Sequence, residues 1–396
     1  MTSSNLKTAA MADRLASLGS DVWAVHYEAR RRIRAGEDII ELAIGEPDIA
    51  VPDALIDVAE QAMRAGRTRY SAGRGEADLV EAIAQKYAKR SGRDISAANV
   101  LCVPGTQAAL TMAMMTLVQN GDDVLVPDPY YATYEGVVAS TGARFVPVPM
   151  DADNGFHLTA DQLETTITPN SKVLLLNSPH NPTGAVLKTE ELAAIGEVCA
   201  KHNLWVICDE VYEQLIYEGE FASLFDAPQF ADRTIAVSSI SKSHAAPGFR
   251  SGWCVGPAWF TDKMQGVSEA ILFGGQPFIA DMTAYALTHE DDTAQRMAEA
   301  YIRRIEVIET TLAPCELLSG MKPASGMFML VDVSATGLNG NQFATRLLDE
   351  ANVAVMPGEA FGAQAKDFIR LSLTVDDSLL AEAASRLVRL AESIAS

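Results

Sequence analysis

Cysteine is scarce, basic charge is in deficit, and no apolar run is long. The five cysteines (Cys102, Cys199, Cys208, Cys254, Cys315) form no CxxC pair, so no metal-ligand set is expected. Three lie in or beside apolar, strand-like runs, where cysteine behaves as a small buried hydrophobe. An odd count, with no signal peptide at the start, points to a reducing cytoplasm. Only 31 Lys and Arg stand against 52 Asp and Glu, for a formal net charge of -21. Nucleic acid and anionic membranes need a basic footprint, which excludes both as partners. Solubility accounts for the acidity. The most apolar window, Ala108 to Val118, falls short of the roughly 18 residues that cross a bilayer. The start, MTSSNLKTAAMADRLASLGS, has no apolar core and reads as a soluble N-terminal arm. Repeats and low-complexity segments are missing too.

What is present is an ordinary globular composition. The 396 residues are 48% hydrophobic, enough for one large and one smaller domain. From about residue 98 to 256, short apolar runs alternate with amphipathic helical stretches. The strand candidates are DVLVPD, ARFVPVP, KVLLLN, LWVICDE, TIAVSSI and GWCVGP, with helices over Gly105 to Gln119 and Thr189 to His202 between some of them. That alternation predicts an α/β fold, a mostly parallel sheet flanked by helices. Near residue 290 the texture becomes α+β: a long helix over about Asp291 to Leu318, then MFMLVDV, a helix, VAVMPG, FIRLSLT and a last helix. The expected division is a large domain over 45–290 and a smaller one built from 1–44, arm included, and 291–396.

Ligands bind beyond the carboxyl ends of strands in such sheets, so the residues that follow each strand carry the chemistry. KVLLLN leads into SPHNPTG, a rigid turn able to present the Asn181 amide. LWVIC leads into Asp209, Glu210 and Tyr212, and a carboxylate where a buried strand ends is costly unless paired. TIAVSSI leads into Lys242, with Arg250 eight residues on, which places the lysine where a strand runs out into a loop. PGTQ, Pro104 to Gln107, opens a helix whose first N–H groups and dipole can hold an anion. Each feature alone is weak, since a lysine after a strand is usually a solvated surface group. Together they match one ligand. Pyridoxal phosphate needs a lysine imine, an acidic partner for its ring nitrogen and a phosphate cradle.

AIGEPD, RYSAGRGEADL, PGTQAAL, PDPYYATYEG, NSPHNPTGAV, CDEVYEQLIY, SSISKSHAAPGFRSGW, MPGEAFG and FIRLSLT together resemble a class I/II aminotransferase of the aspartate-aminotransferase fold type, over nearly the whole chain. VHYEA, NSPHNP, SKSHA, GMFMLVDV with TGLN, and GEAFG are similar to bacterial arginine:pyruvate transaminases. The resemblance implies pyridoxal 5′-phosphate as cofactor. It implies that Lys242 forms the Schiff base and then shuttles the substrate proton, and that Asp209 keeps the ring nitrogen protonated, as an adjacent carboxylate should. Asn181 and Tyr212 would donate to the ring oxygen, and Tyr131 would stack on the ring. The backbone of Gly105, Thr106 and Gln107, with Ser239 and Arg250 and with Ser241 as a further member, would cradle the phosphate. Arg370 would grip the substrate α-carboxylate bidentately; the other reading is a surface arginine on an edge strand. Gly45 would close over the same carboxylate. Tyr70 would reach the phosphate of a partner subunit, which implies a homodimer.

Thr106 occupies a position that is often lysine in the aspartate-using branch, which weighs against strict aspartate specificity. The resemblance to arginine:pyruvate transaminases, supported by that missing charge, implies arginine or a neutral amino acid as donor, with pyruvate or another 2-oxo acid as acceptor. The alternatives are an aspartate or aromatic aminotransferase using 2-oxoglutarate, or a carbon–sulfur lyase on the same scaffold. A non-catalytic cofactor-sensing domain of a transcription regulator would need a basic DNA-binding domain, and no segment here supplies one.

Overall fold

The computed structural model describes residues 7–18 and 23–395. Parts of the expected N-terminal arm, residues 1–6 and 19–22, lie outside the described residues; Ala10–Ser17 is a helix with no buried residue.

A seven-stranded sheet dominates the fold. Its spatial order is Val100–Val103, Gly252–Val255, Thr234–Ser239, Trp205–Asp209, Ser171–Asn177, Asp123–Asp128 and Arg144–Pro149. The first two junctions are antiparallel and the other four are parallel. All six expected strands are present. The seventh, Val100–Val103, is four residues long and pairs antiparallel with Gly252–Val255; so short a run carries no periodicity to find. The central strands are buried on both faces, which is why they read as continuous apolar runs rather than alternating ones. Arg144–Pro149 closes one edge with Pro147 and Pro149, residues that cannot template another strand.

The helix expected over Gly105 to Gln119 runs Thr106–Leu117, and the one expected from Thr189 runs Thr189–Lys201. Farther along, the 20-residue helix Thr293–Leu312 replaces the longer span expected from 291 to 318, because the chain turns at Ala313 and enters the short strand Ser319–Met321. A four-stranded antiparallel sheet follows, in the order Met356–Pro357, Phe368–Ser372, Phe328–Asp332 and Ser319–Met321. Ile40–Glu41 pairs in parallel with Val353–Ala354. Side chains from 25–42 and from 297–391 share one apolar core, with Tyr301, Phe343 and Leu387 fully buried in it. Tyr212, Leu215 and Ala245 also belong to that core, so the large sheet's strand ends abut it. The site lies at that junction.

Candidate active site

Register places the site. Asn177 pairs with Asp209, so those two strands end level, while Asp209 pairs with Val237, two residues before the next strand ends at Ser239. Ser239 pairs with Gly252, one strand further on. Immediately beyond these ends is a cavity of ≈ 220 Å³. Lys242, Arg250 and Arg370 line it together with one carboxylate, Asp209. A chain of net charge -21 thus gathers three cations against one anion where anionic ligands would enter.

Lys242 is not in a loop. It lies in a single helical turn, Ile240–Ser243, whose first N–H groups are capped by Ser239 Oγ, which accepts from Ser241 N at 3.3 Å. The turn follows the strand without a break because a serine cap at the strand's last residue suffices to start it. Lys242 Nζ donates to the Gly45 carbonyl at 2.7 Å. Burial, and then Arg370 nearby, push its amine down to about 8.

Asp209 is 3% exposed. Its carboxylate accepts from Tyr134 Oη at 2.7 Å and from Val211 N at 3.3 Å. Burial raises its pKa to about 6, and those two donors oppose the rise. Its backbone carbonyl accepts from Asn177 Nδ2 at 3.0 Å. The next residues are braced from outside the cavity: Arg90 reaches Glu210 and Glu213, both at 2.9 Å, and Lys86 also pairs with Glu213. Those pairs flank Tyr212, which is buried and lines the cavity with Tyr131. Burial raises the phenols of both Tyr131 and Tyr212, so they stay protonated.

Gly105 precedes the helix Thr106–Leu117 with φ 84°, a conformation glycine adopts freely. A Cβ there would lie 2.5 Å from Arg250 Nη2, so the backbone and the guanidinium approach closely only because the side chain is a hydrogen. Thr106 Oγ1 donates to Ser239 Oγ at 2.9 Å, joining the helix N-terminus to the Lys242 turn. Thr106, Gln107, Ser239 and Ser241 all line the cavity. A helix N-terminus with unpaired N–H groups, two serines, a threonine and an arginine make a cradle suited to a phosphate.

Arg370 is 4% exposed and sits on Phe368–Ser372, an interior strand of the small sheet, not an edge. Its guanidinium lies between two rings, 3.8 Å from the Phe328 centroid and 4.4 Å from that of Phe361. Nη1 donates to Asn181 Oδ1 at 3.0 Å and Nη2 to the Ala43 carbonyl at 2.8 Å. Nε is buried without a partner. Burial lowers its pKa to about 10, so it remains charged at neutral pH. A buried cation with a free donor and no carboxylate is an anion receptor. Gly45 passes over Phe328 so closely that a Cβ would meet the ring's Cζ at 2.1 Å. Tyr70 is not in the cavity of this chain: it is 84% exposed, edge-on to Phe273.

The family model for aminotransferases of class I and II matches residues 37–387. The chain belongs to that family. It is 40% identical to the arginine–pyruvate transaminase of Pseudomonas aeruginosa, over 96% of this chain and 97% of the relative. Aspartate aminotransferase from Thermus thermophilus, solved with maleate, superposes with a TM-score of 0.91 at 30% identity, covering 97% of this chain and 100% of that one. The aromatic aminotransferase of Pyrococcus horikoshii OT3 gives 0.87 at 32%, covering 92% and 99%. The aminotransferase is accordingly a fold type I enzyme that depends on pyridoxal 5′-phosphate, and the glycine-tight cradle and the displaced lysine pKa fit that group.

Residue reasoning from sequence left out several cavity side chains. Asn177 could have been found, as a polar residue closing KVLLLN. Phe328, Phe361, Trp23 and Tyr134 could not, because apolar and aromatic residues in such runs look like ordinary core.

Proposed function

We propose that this aminotransferase moves the α-amino group of arginine, or of a neutral amino acid, to pyruvate or a similar 2-oxo acid. The observation that carries the reading is Arg370, a buried guanidinium with an unpartnered Nε, in the same cavity as Lys242. Pyridoxal phosphate, when bound, supplies a carbonyl for the donor amine and a ring that accepts electrons from the α-carbon. Lys242 would hold the cofactor and move the substrate proton, a task suited to an amine with a pKa near 8. Asp209 would keep the ring nitrogen protonated, Asn181 and Tyr212 would donate to the ring oxygen, and Tyr131 would cover the ring. Gly105, Thr106, Gln107, Ser239, Ser241 and Arg250 would hold the phosphate. Arg370 and Asn181, with the Gly45 backbone, orient the α-carboxylate.

Support for the donor comes from two directions. The Pseudomonas relative is an arginine–pyruvate transaminase. In addition, the cavity shares Trp23, Gln107 and Ala132 with a neighbouring groove whose lining, among the described residues, includes Glu135 and Glu359 and neither lysine nor arginine. A second substrate carboxylate there would be buried near like charge, whereas a guanidinium would be neutralised. Aspartate and aromatic relatives keep 2-oxoglutarate-linked donors as the second reading.

The active form is a homodimer in which Tyr70 completes the partner's phosphate site, as the exposure of Tyr70 beside Phe273 suggests. The shared core of 25–42 and 297–391 supports a small domain of 1–44 and 291–396 on a large domain of 45–290. Among the described residues no helix is long and apolar enough to cross a membrane, and the five free cysteines suit a reducing cytoplasm. The test is a screen of all amino acids against pyruvate and 2-oxoglutarate, scoring alanine or glutamate formed and ammonia released. A kcat/KM for aspartate or glutamate above arginine, alanine and the aromatic donors would overturn the donor assignment. Ammonia without new amino acid would overturn transamination.

A further inference from the structure

Tyr134 has no part in the roles assigned so far. It opens the short helix Tyr134–Ala139, three residues after Tyr131, and its backbone N–H bonds the Tyr131 carbonyl at 2.9 Å. One turn therefore carries two tyrosines whose rings meet edge-on at 5.5 Å. Tyr131 faces the cavity partly buried, while Tyr134 is 1% exposed and belongs to a core cluster with Leu110, Val137 and Val138. Its hydroxyl makes one side-chain hydrogen bond, to Asp209 Oδ2 at 2.7 Å.

The Asp209 backbone is fixed by the sheet and by Asn177, but a strand does not fix the rotation of a side-chain carboxylate. The other donor to that carboxylate, Val211 N, reaches Oδ1 at a long 3.3 Å. We propose that Tyr134 is a positioning residue: its hydroxyl ties down Asp209 Oδ2 and so turns the carboxylate's other oxygen toward the cavity, where it is available to the protonated nitrogen of the cofactor ring. This rests on the assignment of Asp209 made above. The bland alternative is that Tyr134 is a core ring whose hydroxyl happens to be satisfied.

The bond also bears on charge. A donated hydrogen bond favours the carboxylate over the acid, against the burial that disfavours it. The titratable groups that face the pair are the phenols of Tyr131 and Tyr212, both held neutral. Arg370 and Arg250 act on Tyr131 from across the cavity, and neither touches Asp209.

Tyr134→Phe removes the hydroxyl and keeps the ring. In the cofactor-free protein, the Asp209 carboxyl, followed by carbon NMR with labelled aspartate, should titrate at least about one unit higher than in wild type. In the loaded enzyme, kcat should fall about tenfold with little change in KM, since losing one bond to a charged group is of that order. The same change made in an Asp209→Asn background should cost almost nothing further. Placing 3-fluorotyrosine at 134, a stronger donor of nearly the same shape, should move the Asp209 titration the other way, and this arm serves if the phenylalanine variant folds poorly. An Asp209 titration unmoved by either substitution would overturn the proposal. So would an equal loss of kcat with and without the Asp209 carboxylate, which would make Tyr134 a packing residue. If Asp209→Asn alone left kcat intact, the Asp209 assignment itself would fall, a separate outcome.

Discussion

Arg370→Lys retains a positive charge and removes the fork, and the structure says what that should cost. In the native site, two of the guanidinium nitrogens are anchored on Asn181 Oδ1 and the Ala43 carbonyl. Phe328 and Phe361 hold its plane between them. The Nε–H is buried without a partner, and on the proposed reading it would pair with an oxygen of the bound α-carboxylate. A lysine ammonium in that slot can offer a point charge but not two parallel donors. It also leaves Asn181 Oδ1 or the Ala43 carbonyl short of a donor. Losing one charge-assisted hydrogen bond is worth about 1.5–3 kcal/mol, or about 10- to 150-fold in kcat/KM for the amino donor. The check is the single-turnover reaction of the loaded enzyme with arginine and with alanine, followed by cofactor absorbance. Both donors should lose equally, because both present the same carboxylate, and inhibition by a simple monocarboxylate should weaken in parallel. Cofactor retention should not change. A loss of under about threefold, or a loss confined to one donor, would refute the idea that Arg370 reads the α-carboxylate.

Three more expectations follow from the same geometry. If Lys242 is the lysine that takes up the cofactor, it must react as the neutral amine, and with its pKa lowered from 10.5 to about 8 cofactor uptake by the cofactor-free protein should quicken through pH 8 and level off above it. In that form the unfolded chain binds the extra proton between about 8 and 10.5, so the Lys242 contribution to stability should rise with pH across that window, and denaturant titrations there test the sign. Glu135→Gln removes one carboxylate of the side groove and should raise the KM for arginine several-fold while leaving that for alanine unchanged; equal effects on both donors would remove Glu135 from substrate reading. If Tyr70 completes a neighbour's site, Tyr70→Phe should speed cofactor loss on dilution while sedimentation still reports a dimer, and a fully active monomer at assay concentration would rule the shared site out.

The sequence by itself determined the large sheet and the order of its chemistry. A buried parallel strand must be apolar on both faces, so KVLLLN, LWVICDE and TIAVSSI stand out, and polar residues at their ends stand out against them. Asn181, Asp209, Lys242 and Arg250 were legible for that reason. Their meeting was not, because it depends on register between strands: Asn177 falls against Asp209, and Asp209 against Val237, two residues before that strand ends. A serine cap was enough to turn the expected loop at Lys242 into a helical turn, a local choice that propensity does not resolve. Tertiary structure alone decided the state of Arg370. Alternating apolar neighbours fit an edge strand or an interior one equally well, and only packing between Phe328 and Phe361, from other segments of the chain, made it a buried cation. Tyr134 shows the same limit. Its spacing marks a helical turn, but that its hydroxyl meets a carboxylate 75 residues away follows from how that turn docks on the sheet, and burial then makes the contact matter, since a buried carboxylate without donors would not stay charged.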